Sequence, residues 1–279
     1  EALVPRTPIC LLAASVLLPP VAGAADASPQ VVLERDGSTI ALEAYAPNVV
    51  RVTLSLSRQD ALAEPGYGFV AAPQASGWTR EKTAEGDVYR SSRLVVTVAE
   101  SRSQEPLPTQ KDIARFFNGS APPADITFRT PEGRTLLHMT GWSMSVPNHK
   151  DGNAGILAER RPTDAPFFQV GATFAAPDDE HYYGFGQHQE GRLDHRGESL
   201  SCWHDYLAAG GPSVCVPFMV TNYGYGLVWD NPSKTRIEPG MAERTRWISE
   251  VGNRVSFFVI AGKTTDEIFG SGATGHYMP

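Results

Sequence analysis

The stretch QVVLERDGSTIALEAYAPNVVRVTLSL, residues 30–56, decides the fold class of this chain. Apolar and β-branched residues recur in three short runs with polar residues between them. The dipeptide Asp36-Gly37 separates the first two runs, and Asp-Gly between apolar runs is typical of a tight turn. The stretch therefore predicts three short β-strands, at 31–35, 40–45 and 49–54.

The same pattern continues along the rest of the chain. Further runs that predict strands lie at 88–90, 94–98, 126–128, 135–139, 168–170, 215–221, 225–229 and 255–260. Only residues 264–269 carry a helix-start pattern, a Thr or Asp cap before an acidic first turn. With 26 glycines and 22 prolines among 279 residues, the chain is predicted to be nearly all-β, a sandwich or meander rather than a series of βαβ units.

The N-terminal residues resemble an export signal. Arg6 precedes an apolar run over residues 9–18, which is too short to cross a bilayer, and Ala22-Gly23-Ala24-Ala25 gives an Ala-x-Ala cleavage pattern. We therefore expect a signal peptide over residues 1–25, a periplasmic or extracellular protein, and no membrane span after cleavage. In an oxidising compartment Cys202 and Cys215 could form a disulfide or remain as thiols, and both alternatives stay open.

Charge and motif spacing argue against several functions. The formal net charge of −7 disfavours nucleic acid as a partner, because that binding depends on clustered Lys and Arg. Gly184 and Gly186 begin a pattern like a phosphate loop, but Gln189 occupies the place of the third glycine and no helix-forming stretch follows. We therefore predict no cofactor.

Histidines and acidic residues crowd the region 181–205. The histidines are His181, His188, His195 and His204, and the carboxylates are Glu190, Asp194, Glu198 and Asp205. The interspersed glycines prevent a regular helix that would stack these histidines on one face, which favours ordinary hydrogen-bonded histidines over a metal site. Two carboxylates are needed for glycoside hydrolysis, but sequence spacing alone does not establish their separation.

Aromatic and polar residues alternate at 203–206 (WHDY) and 229–231 (WDN). Such mixtures suit sugars, whose C–H faces stack on aromatic rings while hydroxyls bind carboxylates and amides. The alternative is that Trp203, Tyr225 and Trp229 fill the core of the sandwich. Composition alone does not separate these two interpretations.

An ordered set of motifs resembles the N-terminal domain of glycoside hydrolase family 31. The pieces are YAPNVVRV at 45–52, YGFGQHQEG at 183–191, RG at 196–197, VPF at 216–218 and YGYGLVWDN at 223–231. Residues 266–268 and 273–275 are similar to the helix and linker that introduce the family's barrel. The resemblance implies a galactose-mutarotase-like β-sandwich over residues 26–262, followed at 263–279 by the start of the linker.

The same resemblance implies a role in the cleavage of α-linked oligosaccharides. In the family both catalytic aspartates lie in a (β/α)8 barrel that follows the sandwich, so we assign no catalytic residue here and expect that barrel as the partner of this domain. The sandwich contributes a loop aspartate, which matches Asp205, and Trp203 and His204 are predicted to bind substrate beside it. Gly184, Gly186, Gln187, Gln189 and Gly191 are predicted to form a structural loop.

Two other functions remain as alternatives. One is an autonomous carbohydrate-binding module. The other is an enzyme resembling a mutarotase or epimerase, which would need a histidine and a glutamate on one concave face, for example His188 with Glu190.

Overall fold

The protein is described by a computed structural model that covers residues 29–66, 68–100, 124–145, 168–189, 191–203 and 214–270. The predicted signal peptide over residues 1–25 lies outside the described residues, as do Glu190, His204 and Asp205.

Two antiparallel sheets account for most of the described residues. The seven-stranded sheet contains, in spatial order, β1 (Gln30–Arg35), β2 (Ser38–Ala46), β3 (Val49–Ser55), β16 (Val255–Ala261), β13 (Tyr225–Trp229), β12 (Val214–Thr221) and β10 (Tyr182–Gln187). The nine-stranded sheet contains β11 (Leu200–Cys202), β14 (Thr235–Met241), β15 (Arg244–Gly252), β9 (Phe168–Ala175), β8 (Thr135–Ser145), β7 (Ile126–Arg129), β6 (Val95–Ala99), β5 (Gly86–Arg90) and β4 (Thr79–Thr83). Two four-residue helices are α1 (Arg58–Ala61) and α2 (Thr265–Ile268).

The main core lies between the two sheets. Phe257 of β16 contacts Phe128 and Phe174 of the nine-stranded sheet edge to face, with ring centroids 6.5 and 5.4 Å apart. Trp229 stacks against Trp247 at 5.5 Å. Aromatic packing between facing sheets is what defines a sandwich, so the predicted fold class is confirmed.

The seven-stranded sheet is covered on its second face as well. There Phe258 stacks on Phe69, with centroids 4.2 Å apart, and contacts Tyr45 at 5.1 Å. Phe269, which follows α2, contacts Phe218 at 5.2 Å. Because both faces are covered, β16 is buried at all seven positions, which explains why six of its seven residues are apolar and why the exception, Ser256, is hydrogen-bonded.

The sequence-based strands agree with the structure at the N-terminus. The predicted strands at 31–35, 40–45 and 49–54 are β1, β2 and β3. Asp36 and Gly37 both have positive φ, at 46° and 78°, as a tight hairpin turn requires. The predicted helix start is confirmed too, since the Thr264 hydroxyl caps α2 by accepting from the Glu267 N–H.

Several elements were not predicted. These are β4, β10, β11, β14, β15 and the helix α1, which Ser57 caps at its N-terminus. β4 has the sequence TREKT, which is wholly polar and is stabilised as an edge strand by pairing with β5. β10 contains two glycines, and the register of its pairing with β12 changes between them.

Candidate functional site

A cleft of about 770 Å³ opens at one end of the sandwich, where β13 ends and β12 begins. One side is formed by residues 63, 66, 68 and 69 of a segment that follows α1; residues 63–66 and 68–69 are here called the wall segment. The remainder is lined by Cys202, Trp203, Cys215, Pro217, Trp229, Asp230, Asn231, Pro232, Ser233, Thr235, Val251, Gly252, Asn253 and Arg254. Its volume is in the range of sites that hold small ligands.

Trp203 differs from the other four tryptophans of the chain. It is 52% exposed at the edge of this cleft, whereas Trp78, Trp142, Trp229 and Trp247 are buried. Trp229 lines the cleft as a buried residue, and its indole N–H donates to the Ser249 hydroxyl at 2.8 Å. The structure thus separates the two interpretations made from the sequence: Tyr225 and Trp229 belong to the core, and Trp203 does not.

A disulfide joins the two sheets beside Trp203. Cys202 ends β11 in the nine-stranded sheet and Cys215 lies in β12 of the seven-stranded sheet, with their Cα atoms 5.0 Å apart. Of the two alternatives left open by the sequence, the structure therefore has the bridged form. It places a covalent link in the lining of the cleft.

A buried charge cluster lies behind the wall segment. The Arg51 side chain is fully buried, and its two terminal nitrogens lie 2.7 Å from Glu43 Oε2 and 3.2 Å from Asp230 Oδ2. Arg51 Nε also donates to the Ser256 hydroxyl at 3.0 Å, and that hydroxyl donates to Asp230 Oδ2 at 2.8 Å. Two carboxylates and several hydrogen bonds offset the cost of burying this guanidinium.

The same charges hold the wall segment in place. Asp230 Oδ1 accepts from the Gly66 N–H at 2.9 Å, and Arg51 donates to the Ala63 carbonyl at 3.0 Å. Arg254 donates to the carbonyls of Ala63 and Glu64 at 2.8 and 2.6 Å. Burial, followed by the neighbouring charge of Arg51, lowers the pKa of Arg254 from its ordinary value. The wall of the cleft is therefore fixed by side chains that contact its backbone.

Gly184, Gly186 and Gln187 were predicted to lie in a structural loop, but they belong to strand β10, whose irregular pairing with β12 is where the two glycines adopt a special backbone. Gly184 and Gly186 have φ of 104° and 98°, and a Cβ at these positions would lie 2.7 Å from the Phe218 carbonyl oxygen and 2.1 Å from the Val214 carbonyl oxygen. Both positions thus require glycine. Gly191 also has a positive φ, of 66°, but faces open space. Gln189 lies just beyond β10, and its predicted structural role stays a prediction.

Two histidines of this region each form a hydrogen-bonded pair with a carboxylate. His181 Nδ1 lies 2.7 Å from Asp194 Oδ2, and His195 Nδ1 lies 2.9 Å from Glu198 Oε2. Partial burial acts to raise the pKa of Asp194, but hydrogen bonds from two backbone N–H groups and from His181 lower it overall. Within the described residues, no three His, Cys, Asp or Glu side chains are grouped as metal ligands would be.

A buried carboxylate lies at the start of this region. Glu180 accepts hydrogen bonds from the hydroxyls of Tyr182 and Tyr225 at 2.6 and 2.7 Å, and Arg196 donates to its backbone carbonyl at 2.8 Å. Burial raises the pKa of Glu180, although both tyrosine hydrogen bonds act to lower it. This group joins β10 to β13 and does not line the cleft.

Two residues of the cleft architecture carried a signal that sequence reasoning missed. Glu43 and Arg51 are the charged residues of the otherwise uncharged strands β2 and β3, and they are cross-strand partners. Opposite charges at paired positions of two buried strands indicate a buried ion pair. Phe69 and Arg254, by contrast, have no local sequence pattern that marks them.

The sheets, their order and the cleft at one end define a galactose-mutarotase-like β-sandwich. The family model for the glycosyl hydrolase 31 N-terminal galactose mutarotase-like domain matches residues 39–238, and the chain belongs to this family. Among relatives of known sequence, it is 33% identical over 111 residues to a family 31 glucosidase of uncharacterised function from Pseudescherichia vulneris, covering 39% of this chain. It is 28% identical over 159 residues to an α-xylosidase from Saccharolobus solfataricus, covering 49% of this chain.

Solved structures agree on the fold. The family 31 α-xylosidase from Xanthomonas citri aligns with a TM-score of 0.68 at 12% identity, over 90% of this chain and 40% of that one. An α-xylosidase from a soil metagenome, solved with xylose, aligns with a TM-score of 0.64 at 17% identity, over 90% of this chain and 34% of that one. The chain spans 20% of the Pseudescherichia vulneris relative and 21% of the Saccharolobus solfataricus relative. Among the described residues, every helix is too short or too polar to cross a membrane.

Proposed function

We propose that this chain is the N-terminal substrate-binding domain of an α-glycosidase, and that the cleft beside Trp203 receives part of an α-linked oligosaccharide. The observation that carries the proposal is the exposed Trp203 ring at the edge of a cleft of about 770 Å³. An exposed indole is a platform for the C–H face of a sugar. His204 and Asp205, which follow Trp203 directly, are proposed to bind sugar hydroxyls.

The lining of the cleft is compatible with a neutral sugar. The amide side chains of Asn231 and Asn253 line it, together with the aromatic rings of Phe69 and Trp203. Asp230, the carboxylate of the cleft, bonds to Arg51, Ser256 and Gly66 instead of standing free. Arg254, the cation of the lining, donates to the Ala63 and Glu64 carbonyls, so both charged groups of the lining are engaged within the chain, which disfavours a charged ligand.

The reaction itself is assigned to a partner domain. Retaining hydrolysis needs two carboxyl groups about 5 Å apart across the bond, and Asp230, the one carboxylate in the lining formed by the described residues, is engaged with Arg51. We infer that a (β/α)8 barrel of the same protein supplies the catalytic aspartates. The small share of each relative that this chain covers supports this inference.

Export is the second part of the proposal. The signal-like residues 1–25 and the Cys202–Cys215 disulfide both favour an oxidising compartment outside the cytoplasm. Fractionation of cells that produce the full chain tests this. Recovery of the intact chain, uncleaved, in the cytoplasmic fraction would contradict it.

Sugar titration of the purified chain tests the binding proposal. We expect isoprimeverose or maltose to bind, with cellobiose as the β-linked comparison, and Trp203→Ala to weaken binding about ten-fold because the stacking platform is lost. Leu193→Ala is the matched control, because Leu193 is 77% exposed and does not line the cleft. Equal affinity of the two variants would refute the assignment of Trp203.

One alternative has support from the structure. The cleft is formed by side chains of this chain alone, which is also what an autonomous carbohydrate-binding module requires. The gene sequence beyond the codon for Pro279 separates the two functions. A reading frame that continues into a barrel supports the α-glycosidase, and a stop codon followed by an unrelated gene supports the module.

A further inference from the structure

The Cys202–Cys215 disulfide lies at an edge of the sandwich where a short strand has few backbone hydrogen bonds. β11 is an edge strand of three residues that pairs with β14 alone, from Leu200 to Cys202. β12 belongs to the other sheet, and Cys215 is the cross-strand partner of Gly186 there. The disulfide is thus a covalent link between the two sheets at a point where hydrogen bonding to β11 is short.

The link acts directly on the residue that borders the cleft. Trp203 follows Cys202 in sequence, and its backbone N–H donates to the Ser201 carbonyl at 3.0 Å. Both cysteines line the cleft with Trp203. The position of the indole over the cleft therefore depends on where Cys202 is held relative to β12.

The opposite strand is shaped to accept the link. A Cβ on Gly186 would lie 3.1 Å from the Cα of Cys215 and 2.1 Å from the Val214 carbonyl oxygen. Glycine at this position therefore allows β10 and β12 to approach at the attachment point of the disulfide. Cys215 is held in the seven-stranded sheet by pairing with β10, and the disulfide links β11 to that position.

We propose that the Cys202–Cys215 disulfide is a positioning element that holds the Trp203 ring over the cleft, so that the disulfide form binds α-linked sugars more tightly than the dithiol form. This inference rests on the proposed carbohydrate-binding function. A dithiol reductant would transfer two electrons and two protons, break the S–S bond, leave two thiols and close to its own disulfide. In the dithiol form, sugar binding has to order β11 and the Trp203 indole, and this cost weakens the affinity by about two- to ten-fold.

The test compares three forms of the full chain: oxidised, reduced with a dithiol, and Cys202→Ser/Cys215→Ser. Reduction is followed by thiol titration, which should rise by two, from none to two in the chain cleaved after residue 25 and from one (Cys10) to three in the uncleaved chain. Each form is titrated with isoprimeverose and maltose, and iodide quenching of tryptophan fluorescence reports mainly on Trp203 because the other four tryptophans are buried. Ile126→Val, in the core of the nine-stranded sheet at β7, controls for a general loss of stability.

We expect weaker binding and altered iodide quenching in the reduced and double-serine forms, and neither change in Ile126→Val. If the double variant does not fold, the reduced wild-type chain carries the test. Sugar binding that is equal in all forms, with two thiols gained on reduction, would overturn the positioning role while leaving the proposed function intact. Absence of binding in the oxidised chain would overturn the proposed function itself.

Discussion

Replacing Asp230 with alanine tests whether the buried charge cluster holds the cleft wall. The Asp230 and Arg51 side chains are 4% and 0% exposed, and the substitution removes hydrogen bonds to Arg51, Ser256 and the Gly66 N–H. Breaking a buried ion pair costs about 3–5 kcal/mol. Glu43 remains 2.7 Å from Arg51, so we expect a loss of about 3 kcal/mol, which lowers the Tm by about 6–12 °C for a domain of this size.

The assay is urea unfolding followed by tryptophan fluorescence, with a thermal melt on the same samples. Arg58→Ala is the matched control, because the Arg58–Glu34 pair is 59% and 43% exposed and such surface pairs contribute about 0–1 kcal/mol. Equal m-values would show that the two transitions expose similar surface. A loss below about 1 kcal/mol for Asp230→Ala, similar to that of Arg58→Ala, would refute the proposed role of the cluster.

Three further predictions follow from the described geometry. Gly186→Ala should lower the Tm more than Gly191→Ala. Both residues have a positive φ, where a side chain costs about 1–2 kcal/mol, but only the Cβ at position 186 would also meet the Val214 carbonyl oxygen, at 2.1 Å. Equal losses of Tm would contradict the steric argument. Burial raises the pKa of Glu180, so the folded state binds its proton more tightly and the free energy of unfolding should fall as pH rises from about 4.5 through the folded pKa. Glu180→Gln should abolish that slope in urea titrations at successive pH values, and an unchanged slope would show that another group is responsible. The chain alone should not hydrolyse aryl α-xylosides or α-glucosides, because two carboxyl groups about 5 Å apart are needed; turnover that persists through purification to homogeneity would disprove this.

The sequence predicted the strands whose pattern is local. The runs that became β2 and β3 are apolar because these strands are largely buried, β1 is buried at Val31 and Leu33, and Asp36-Gly37 takes the positive φ that its turn requires. β4 escaped prediction because an edge strand gains its stability from pairing with β5 and carries no apolar signal of its own. A local sequence pattern cannot show the stability that a strand gains by pairing with a neighbouring strand.

The candidate site was predictable only in part. Trp203 stood out because it lies among polar residues, and in the structure its side chain is exposed and not part of the core. The wall segment and its contacts with Arg51 and Arg254 depend on residues about 12 and 190 positions away in sequence, so no window of sequence shows them. The pairing of Glu43 with Arg51 required the register of two strands, which sequence alone leaves open.

The position of β16 has a consequence for synthesis on the ribosome. This strand lies between β3 and β13, and Arg51 bonds to Ser256 across 205 residues of sequence. Until β16 emerges, β3 and β13 lack their shared neighbour, and each presents an unpaired strand edge of the kind that invites aggregation. Closing so long a loop makes the last step of assembly slow. We therefore expect these two strand edges to remain unpaired until residue 261 has been synthesised.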